Sequence, residues 1–402
     1  MFKQWIHSRT LSLLAAALTA AYTLAAPAHA QDIKVGFNAD QSGTAVAELG
    51  IAARHGFDLA IEDINKAGGV LGRKLVGVIR DDTCAPPKSI QNMSELLDSE
   101  KVVAVIGPAN SGNALAWLHL PQQKKIPVVV PIATGSEITT RYANDAQNYL
   151  FRISMVDREQ SALLAAYAVK HSAGKKIAVL ADSTGYGQGG TKDATAILEL
   201  HGVKPVAVEK FGPKDTDITS QLSKIKAAGA DTVIVYGLAD GTAQVLRSME
   251  KINYLPTTLG AWGNLSSLFP KMTGAKLSEH LIMAASTTED TNAKTKALGE
   301  RVRKNFPTLT TFPCAAQSYD SVMLLAAAMK QANSTDGPKV AAALENLQGV
   351  EGVIKTYNKP FTKTMHEGLN VNDFYLARWK GDTVVKFEDS VTKGFQPADF
   401  KK

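Results

Sequence analysis

Residue types that carry metal, thiol and hydrolase chemistry are scarce in this sequence. The 402 residues include two cysteines and eight histidines, and no two histidines have the spacing of metal ligands. His366-Glu367 lacks the second histidine of a zinc-protease helix, and a Gly-x-Ser-x-Gly nucleophile motif is missing. The sequence therefore argues against enzymes of these classes, and we expect neither a metal ion nor a cofactor.

Long runs of one charge and long hydrophobic runs are also missing beyond the N-terminus. The 44 basic and 38 acidic residues are interspersed, and no basic stripe alternates with aromatic residues. We therefore expect no nucleic acid partner. No run after residue 30 approaches the length of a membrane-spanning helix.

The N-terminus has the three parts of a secretory signal. Lys3 and Arg9 precede the uncharged, largely apolar run 11–26, and small residues stand at Ala28 and Ala30. This pattern predicts a signal peptide over residues 1–30 and a secreted mature protein. A membrane anchor is the alternative, but the run is short for one. The remaining 372 residues exceed what one core usually serves, so two domains are expected.

Short apolar runs alternate with amphipathic helical stretches along the chain. Helical stretches include 53–67 and 160–171. The runs that predict strands are Ile33–Phe37, Val102–Ile106, Pro127–Pro131, Lys176–Leu180, Val203–Val208, Thr232–Tyr236 and His280–Ala284. Continuous apolar strands separated by helices indicate an α/β protein with parallel sheets covered on both faces.

A strand–loop–helix–strand unit occurs once in each half of the chain. In the first half the loop begins at Gly107 and the next strand at Pro127, and in the second half the equivalents are Gly237 and Pro256. Ligands of parallel α/β sheets bind outside the carboxyl ends of the strands. Two such halves facing each other would form a cleft between domains. Chance similarity between common α/β units is the alternative.

Two of these loops carry hydroxyl residues that suit a carboxylate. Ser111 stands just before the helical stretch 114–120, and Thr134 opens a capping-box pattern with Glu137. Free backbone N–H groups at a helix start bind anions. Both residues could equally serve only as helix caps.

A glycine-rich segment resembles a dinucleotide-binding loop. Gly185–Gly190 has the Gly-x-Gly-x-x-Gly spacing, and Glu209 follows 19 residues later. Four residues, 181–184, separate it from the preceding strand, whereas the dinucleotide fingerprint turns tightly off its strand. We favour a loop that faces the cleft and places Tyr186 against a ligand.

Cys84 and Cys314 are the two cysteines. In an oxidising compartment an even pair suggests a disulfide, and two buried free thiols are the alternative.

As a set, several segments resemble the type I periplasmic binding proteins, in the branch that contains the leucine/isoleucine/valine-binding protein of ABC importers. The resemblance covers nearly the whole mature chain. The segments that carry it are Ile33–Gly36, Ser42-Gly43, Asp63–Asn65, Gly68-Gly69, Arg80–Cys84, Ile106-Gly107, Pro131–Thr134, Tyr186-Gly187 and Tyr319-Asp320.

The resemblance implies two α/β lobes joined by three crossovers that act as a hinge. The crossovers are expected near Ser154, Ser286 and Tyr357. The lobes would comprise residues 31–154 with 287–357, and residues 155–286 with 358–402. The closed protein would deliver its ligand to permease subunits in the inner membrane, acting as a monomer and not as an enzyme. A sensory role is the alternative.

The resemblance also implies the site. The first lobe would hold a ligand carboxylate with Ser111, Ile132 and Thr134, and Asp157 matches a further cleft position. The second lobe would close with Tyr186, Tyr236 and Trp262.

Two departures from the family pattern matter. Amino-acid-binding members have an acidic residue where this chain has Trp262, so the pattern favours an aromatic or keto acid without an α-amino group. A branched-chain or other hydrophobic amino acid is the alternative, with Asp240 or Asp157 pairing its ammonium group. Cys84 matches a family cysteine whose usual partner position holds Asn110, so a bridge would have to use Cys314.

Overall fold

The computed structural model describes residues 31–42, 47–307 and 311–401. The predicted signal peptide, residues 1–30, lies outside this part. Within the described residues, no helix has the length and apolar character needed to cross a bilayer.

The first lobe is built on a five-stranded parallel sheet with the order β2-β1-β3-β4-β5. Its strands are β1 (Ile33–Ala39), β2 (Leu75–Asp81), β3 (Ala104–Ile106), β4 (Val128–Val130) and β5 (Leu150–Arg152). Strands β3, β4 and β5 are fully buried because helices cover both faces of the sheet.

The second lobe is built on a seven-stranded sheet with the order β14-β13-β10-β9-β8-β6-β7. Its strands are β6 (Ile177–Asp182), β7 (Ala207–Phe211), β8 (Thr232–Tyr236), β9 (Thr257–Gly260), β10 (Leu281–Ala285), β13 (Tyr375–Lys380) and β14 (Thr383–Lys386). Strands β6 to β10 run parallel, and the hairpin β13-β14 joins β10 in the antiparallel direction. A two-stranded ribbon consists of β11 (Val350–Glu351) and β12 (Thr356–Tyr357).

Helices connect most of the parallel strands within each sheet. The first-lobe side carries α1 (Ala47–Lys66), α2 (Pro86–Ser94), α3 (Ser111–Trp117), α4 (His119–Lys124), α5 (Glu137–Thr140), α12 (Ala293–Asn305), α13 (Phe312–Ala332) and α14 (Gly337–Leu344). The second-lobe side carries α6 (Asp157–His171), α7 (Gly185–Leu200), α8 (Thr219–Ala227), α9 (Ala239–Lys251), α10 (Leu268–Thr273), α11 (Ala275–Ser278) and α15 (Ser390–Lys393). The predicted α/β class with parallel-sheet lobes is confirmed.

The third passage between the lobes bears on the proposed domain division. Residues 366–368 pair with the end of β5, since Arg152 N–H donates to the carbonyl of His366 and Gly368 N–H donates to that of Arg152. The chain then enters the second sheet at Tyr375. We therefore propose that the third crossover lies between Leu369 and Phe374, later than the expected position near Tyr357.

No disulfide joins Cys84 and Cys314 in the described structure, so the bridge considered between them is not formed. Cys84 lies half-buried in the loop that follows β2, whereas Cys314 is fully buried in the first turn of α13. Burial raises the pKa of the Cys314 thiol well above its ordinary value, and the nearby Glu48 carboxylate adds to the increase. The buried thiol is therefore held in its uncharged, unreactive form.

Candidate ligand-binding site

Two loops of the first lobe meet at the carboxyl ends of β3 and β4. The loop after β3 ends at Asn110, whose side chain caps α3 by accepting from Gly112 N–H at 2.8 Å. The loop after β4 contains Thr134 and Gly135. The hydroxyl oxygen of Ser111 accepts from Gly135 N–H at 3.0 Å and joins the two loops. This bond leaves the hydroxyl hydrogen of Ser111 available to an acceptor.

Two backbone N–H groups at these loops have no partner among the described residues. The amides of Ser111 and Thr134 make no hydrogen bond with any other described residue. Both residues are almost fully buried, with exposed fractions of 2 % and 1 %. Buried amides are nearly always paired in folded proteins, so two unpaired ones beside each other form a site for an acceptor such as a carboxylate.

The second lobe faces these loops with large apolar side chains. Tyr186 lies in the first turn of α7, and Trp262 follows β9 in a short 3-10 turn. Trp262 N–H donates to the side-chain oxygen of Gln160 at 3.0 Å, which fixes the position of the turn. The Tyr186 hydroxyl is buried and has no hydrogen-bond partner in the described structure. This wall can therefore pack against a ligand and also offer one hydroxyl group.

One cavity lies between the two walls. Its volume is about 20 Å³, which corresponds to roughly one water molecule. A ligand larger than water could therefore enter this cavity only if the lobes separated and side chains moved. The lining residues are Leu49, Ala109, Asn110, Ser111, Ile132, Ala133, Thr134, Tyr186, Leu238, Trp262 and Gly263. None of these lining residues is charged.

Asp157 lies behind Thr134 of the first-lobe wall and does not line the cavity. It begins α6, and its N–H donates to the carbonyl of Thr134 at 2.9 Å. The side chain is fully buried, and one carboxyl oxygen, Oδ2, has no partner within the described residues. Burial raises the pKa of Asp157 to about 8, although a hydrogen bond from the Thr134 side chain opposes the increase. At neutral pH this carboxyl group is therefore mostly protonated.

The other two predicted site residues also lie away from the cavity. Tyr236 is fully buried behind Tyr186, and its hydroxyl pairs with the Ser161 hydroxyl at 2.6 Å. Burial raises the pKa of Tyr236 well above its ordinary value. Asp240 is in the first turn of α9, where its carboxylate accepts from Gly241 N–H. Tyr236 therefore packs behind Tyr186, and the Asp240 carboxylate makes its hydrogen bond within the first turn of its own helix.

The glycine-rich segment is a helix and not the predicted loop, since α7 begins at Gly185. A Cβ atom on Gly187 would lie 2.1 Å from the carbonyl oxygen of Asp182, and one on Gly190 would lie 2.0 Å from the ring of Tyr236. These glycines allow α7 to pack closely on β6 and β8. Close packing explains the spacing of the motif without a nucleotide.

Several contacts join the lobes around the cavity, in addition to the bond between Asp157 and Thr134. The Glu48 carboxylate at the start of α1 accepts from the hydroxyls of Ser266 and Ser267 in the second lobe. Ser136 donates to Asp193 of α7 at 2.6 Å. At the third contact the backbones touch, because a Cβ on Gly185 would lie 2.9 Å from Cα of Gly112. These contacts surround the cavity on several sides.

A larger surface groove of about 560 Å³ lies elsewhere on the second lobe. It is lined by Asp182, Ser183, Gln188, Thr191, Val208, Glu209 and Lys210. The groove touches one lobe only, beside the edge strand β7. We assign the ligand site to the smaller cavity because strand-end loops of both lobes converge there.

Sequence patterns missed several lining residues. Asn110 and Leu238 stand in the two loops that the internal similarity identified, so their position after β3 and β8 was a usable signal. Leu49 comes from the apolar face of α1, where it is indistinguishable in sequence from a core residue.

Comparisons with known proteins identify the family of this chain. A family model described as periplasmic binding protein matches residues 32–383. The Leu/Ile/Val-binding protein homolog 3 of Brucella melitensis is 27 % identical over 95 % of this chain and 100 % of its own. A Pseudomonas aeruginosa protein described as binding leucine, isoleucine, valine, threonine and alanine is 29 % identical over 84 % of this chain and 87 % of its own.

Solved structures show the same architecture. A periplasmic binding protein type 1 from Bordetella pertussis superimposes with a TM-score of 0.79, at 25 % identity, covering 89 % of this chain and 100 % of its own. A branched-chain amino acid transporter substrate-binding protein from Streptococcus pneumoniae, in complex with isoleucine, gives 0.75 at 26 % identity, covering 88 % and 98 %.

Proposed function

Since the chain belongs to the periplasmic binding protein family, we propose that it captures a small carboxylate in the periplasm for the permease of an ABC importer. Its relatives are solute-binding proteins, and the chain is likewise a binding protein and not an enzyme. The proposal is carried by one observation: the buried amides of Ser111 and Thr134 have no partner among the described residues, and both residues line a cavity whose lining side chains are uncharged.

The first lobe supplies what a carboxylate requires. The two amides and the Ser111 hydroxyl are donors, and hydrogen bonds to an ionised acceptor are stronger than those between neutral groups. A carboxylate at this position would therefore complete the hydrogen bonding of both buried amides. We propose that Ser111, Ile132 and Thr134 hold the carboxylate.

The second lobe favours a ligand without an α-amino group. A buried ammonium group needs an anion, and the described lining residues include none. Asp157, the buried carboxyl group behind Thr134, is mostly protonated at neutral pH because burial raises its pKa to about 8. The indole of Trp262 offers a flat apolar face for stacking. We therefore propose an aromatic or keto acid as the ligand.

A hydrophobic amino acid is the second candidate. It is favoured by the unpartnered Oδ2 atom of Asp157 and by relatives whose names refer to leucine, isoleucine and valine. An ammonium group close to Asp157 would favour the ionised carboxylate. Binding of an amino acid would then release a proton from Asp157, whereas binding of a keto acid would not.

A thermal-shift screen of refolded protein tests the ligand class. Matched pairs differ only at the α-carbon: 4-methyl-2-oxopentanoate with leucine, and phenylpyruvate with phenylalanine. A ligand at 100 times its Kd adds about 2.7 kcal/mol to the free energy of unfolding, which raises Tm by several degrees. Stabilisation by the keto acids alone supports the proposed ligand class.

Stabilisation by leucine or phenylalanine alone would reject the keto acid class in favour of the amino acid. Calorimetry in two buffers of different ionisation enthalpy would then measure the proton released from Asp157. Stabilisation by neither pair would reject both candidates.

A further inference from the structure

Arg152 is a buried cation beneath the loop after β4 that contains Thr134 and Gly135, which we call the ligand loop. The proposed function gives this side chain no role. It ends β5, and none of its side chain is exposed. Its Nε donates to Glu367 Oε2 at 2.7 Å, and Nη2 donates to Glu367 Oε1 and to the Thr139 hydroxyl at 3.0 Å. Glu367 thus neutralises the guanidinium group through paired, charge-assisted hydrogen bonds.

The opposite side of the guanidinium group holds the ligand loop. Nη1 donates to the carbonyl oxygens of Gly135 at 2.8 Å and of Ala133 at 3.3 Å. The Ser154 hydroxyl donates to the same Ala133 oxygen at 3.0 Å. These two carbonyls flank Thr134, the residue whose amide is unpaired.

The hydrogen bond from Arg152 to the Ala133 carbonyl also fixes the direction of the Thr134 N–H. The carbonyl of Ala133 and the N–H of Thr134 belong to one planar trans peptide, so they point in opposite directions. Fixing the Ala133 oxygen on Arg152 therefore directs the Thr134 N–H away from Arg152 and towards the cavity. The next peptide is fixed at both ends, because Asp157 N–H donates to the Thr134 carbonyl and Gly135 N–H donates to Ser111.

We propose that Arg152, held by Glu367, is a positioning residue that orients the Thr134 amide for the ligand carboxylate. This role rests on the proposed function, since it needs a carboxylate at that amide. It also joins the site to the hinge. Arg152 directly precedes the first crossover near Ser154, and Glu367 precedes the third, so the ion pair holds both chain passages beside the ligand loop.

Glu367→Gln tests this role while keeping the shape of the side chain. Its effect is compared between 4-methyl-2-oxopentanoate and the methyl ester of that acid. We expect at least a tenfold loss of affinity for the acid and less than a twofold loss for the ester, because only the acid presents a charged carboxylate to the Thr134 amide. Equal losses for acid and ester, or no loss for the acid, would overturn the positioning role.

Glu95→Gln is the matched control. Glu95 pairs with Arg80 at 3.1 Å in the same lobe, at the edge strand β2 and away from the ligand loop. We expect this variant to leave both affinities unchanged. If Glu367→Gln does not fold, Thr139→Val removes only the hydroxyl between Arg152 and Glu367, and a smaller loss with the same acid selectivity is expected.

Hydrogen exchange of the ligand-free protein separates this inference from the proposed function. The Gly135 amide should exchange faster in Glu367→Gln than in the wild type, because the loop is no longer held against Ser111. Unchanged exchange would overturn the positioning role even if the acid binds. Wild-type protein that binds neither acid nor ester would reject the proposed function, while faster exchange would still support the grip of Arg152 on the loop.

Discussion

The two walls of the cavity are built from different parts of the chain. The first-lobe wall presents backbone amides and hydroxyls at Ser111 and Thr134, whereas the second-lobe wall presents the rings of Tyr186 and Trp262. Backbone amides are set by the path of the chain and do not change with the side chain at that position. Side chains change with a single substitution. We therefore propose that the first wall binds the group that related ligands share and that the second wall distinguishes one ligand from another.

Trp262→Ala should break the second wall and have the largest effect. Loss of the indole face should cost about 2 kcal/mol or more of binding free energy, and the loss should be similar for phenylpyruvate and its methyl ester because the ring does not read the charge. Titration calorimetry on both compounds measures this. Trp262→Phe, which keeps a flat ring, should recover part of the affinity. Undiminished binding in the alanine variant would show that the ring does not stack on the ligand.

Ser111→Ala should break the first wall and have the next largest effect. A hydrogen bond to a charged acceptor contributes about 1.5–3 kcal/mol, so affinity for phenylpyruvate should fall by roughly tenfold or more. Affinity for its methyl ester should change little. The ratio of the two affinities is therefore the measurement that separates the walls. If acid and ester lose affinity equally, Ser111 only joins the loops through its bond to Gly135.

Gly185→Ala should keep the two walls apart and so weaken the binding of acid and ester to the same extent. The added Cβ would meet Cα of Gly112 at 2.9 Å, and backbone atoms cannot rotate away. We expect a loss of about 1 kcal/mol for acid and ester equally, measured by calorimetry, with no fall in the Tm of the ligand-free protein because alanine favours the helix. Gly189→Ala is the control, since the space around Gly189 in the same helix is open. Unchanged affinity in Gly185→Ala would mean that the ligand does not need this contact.

The fold was readable from sequence where strands are buried on both faces. Thr232–Tyr236 was predicted with its observed bounds because it is a continuous apolar run between helices. The predicted run Val203–Val208 begins four residues before the observed β7, Ala207–Phe211, because this edge strand alternates between exposed and covered residues. The antiparallel hairpin β13-β14 was not predicted, since the direction of a strand depends on its partner and not on its own sequence.

For the site, the sequence predicted which loops are involved but not which of their side chains line the cavity. Ser111, Thr134, Tyr186 and Trp262 line the cavity, and their contact with ligand stays a prediction. The positions of Ser111 and Thr134 at strand ends suggested this, whereas the family resemblance implied Tyr186 and Trp262. Asp157 and Asp240 also follow strands closely, yet neither lines the cavity. Position after a strand determines which edge of the sheet a residue occupies, but the first turn of a helix determines where its side chain points.

Asp157 lies behind Thr134 and does not line the cavity, and its titration should give the smallest effect. Burial raises its pKa from 3.8 to about 8. The folded protein therefore retains a proton that the unfolded chain loses, and the free energy of unfolding falls as pH rises across this interval. Asp193 and Glu367 raise this pKa further and Arg152 lowers it. We expect water to reach the carboxylate when the lobes separate, which would limit the penalty to a few degrees of Tm.

Asp157→Asn should remove this dependence on pH. We expect the Tm of the variant to exceed that of the wild type by more at pH 8.5 than at pH 5, with Asp240→Asn as the control outside the cavity wall. A difference that stays constant with pH would contradict the buried, protonated carboxyl group. Leucine would narrow the difference at pH 8.5 if its ammonium pairs with ionised Asp157, and 4-methyl-2-oxopentanoate would not. The same titration therefore decides whether Asp157 ionises to pair with a ligand ammonium group or stays protonated beside an uncharged group.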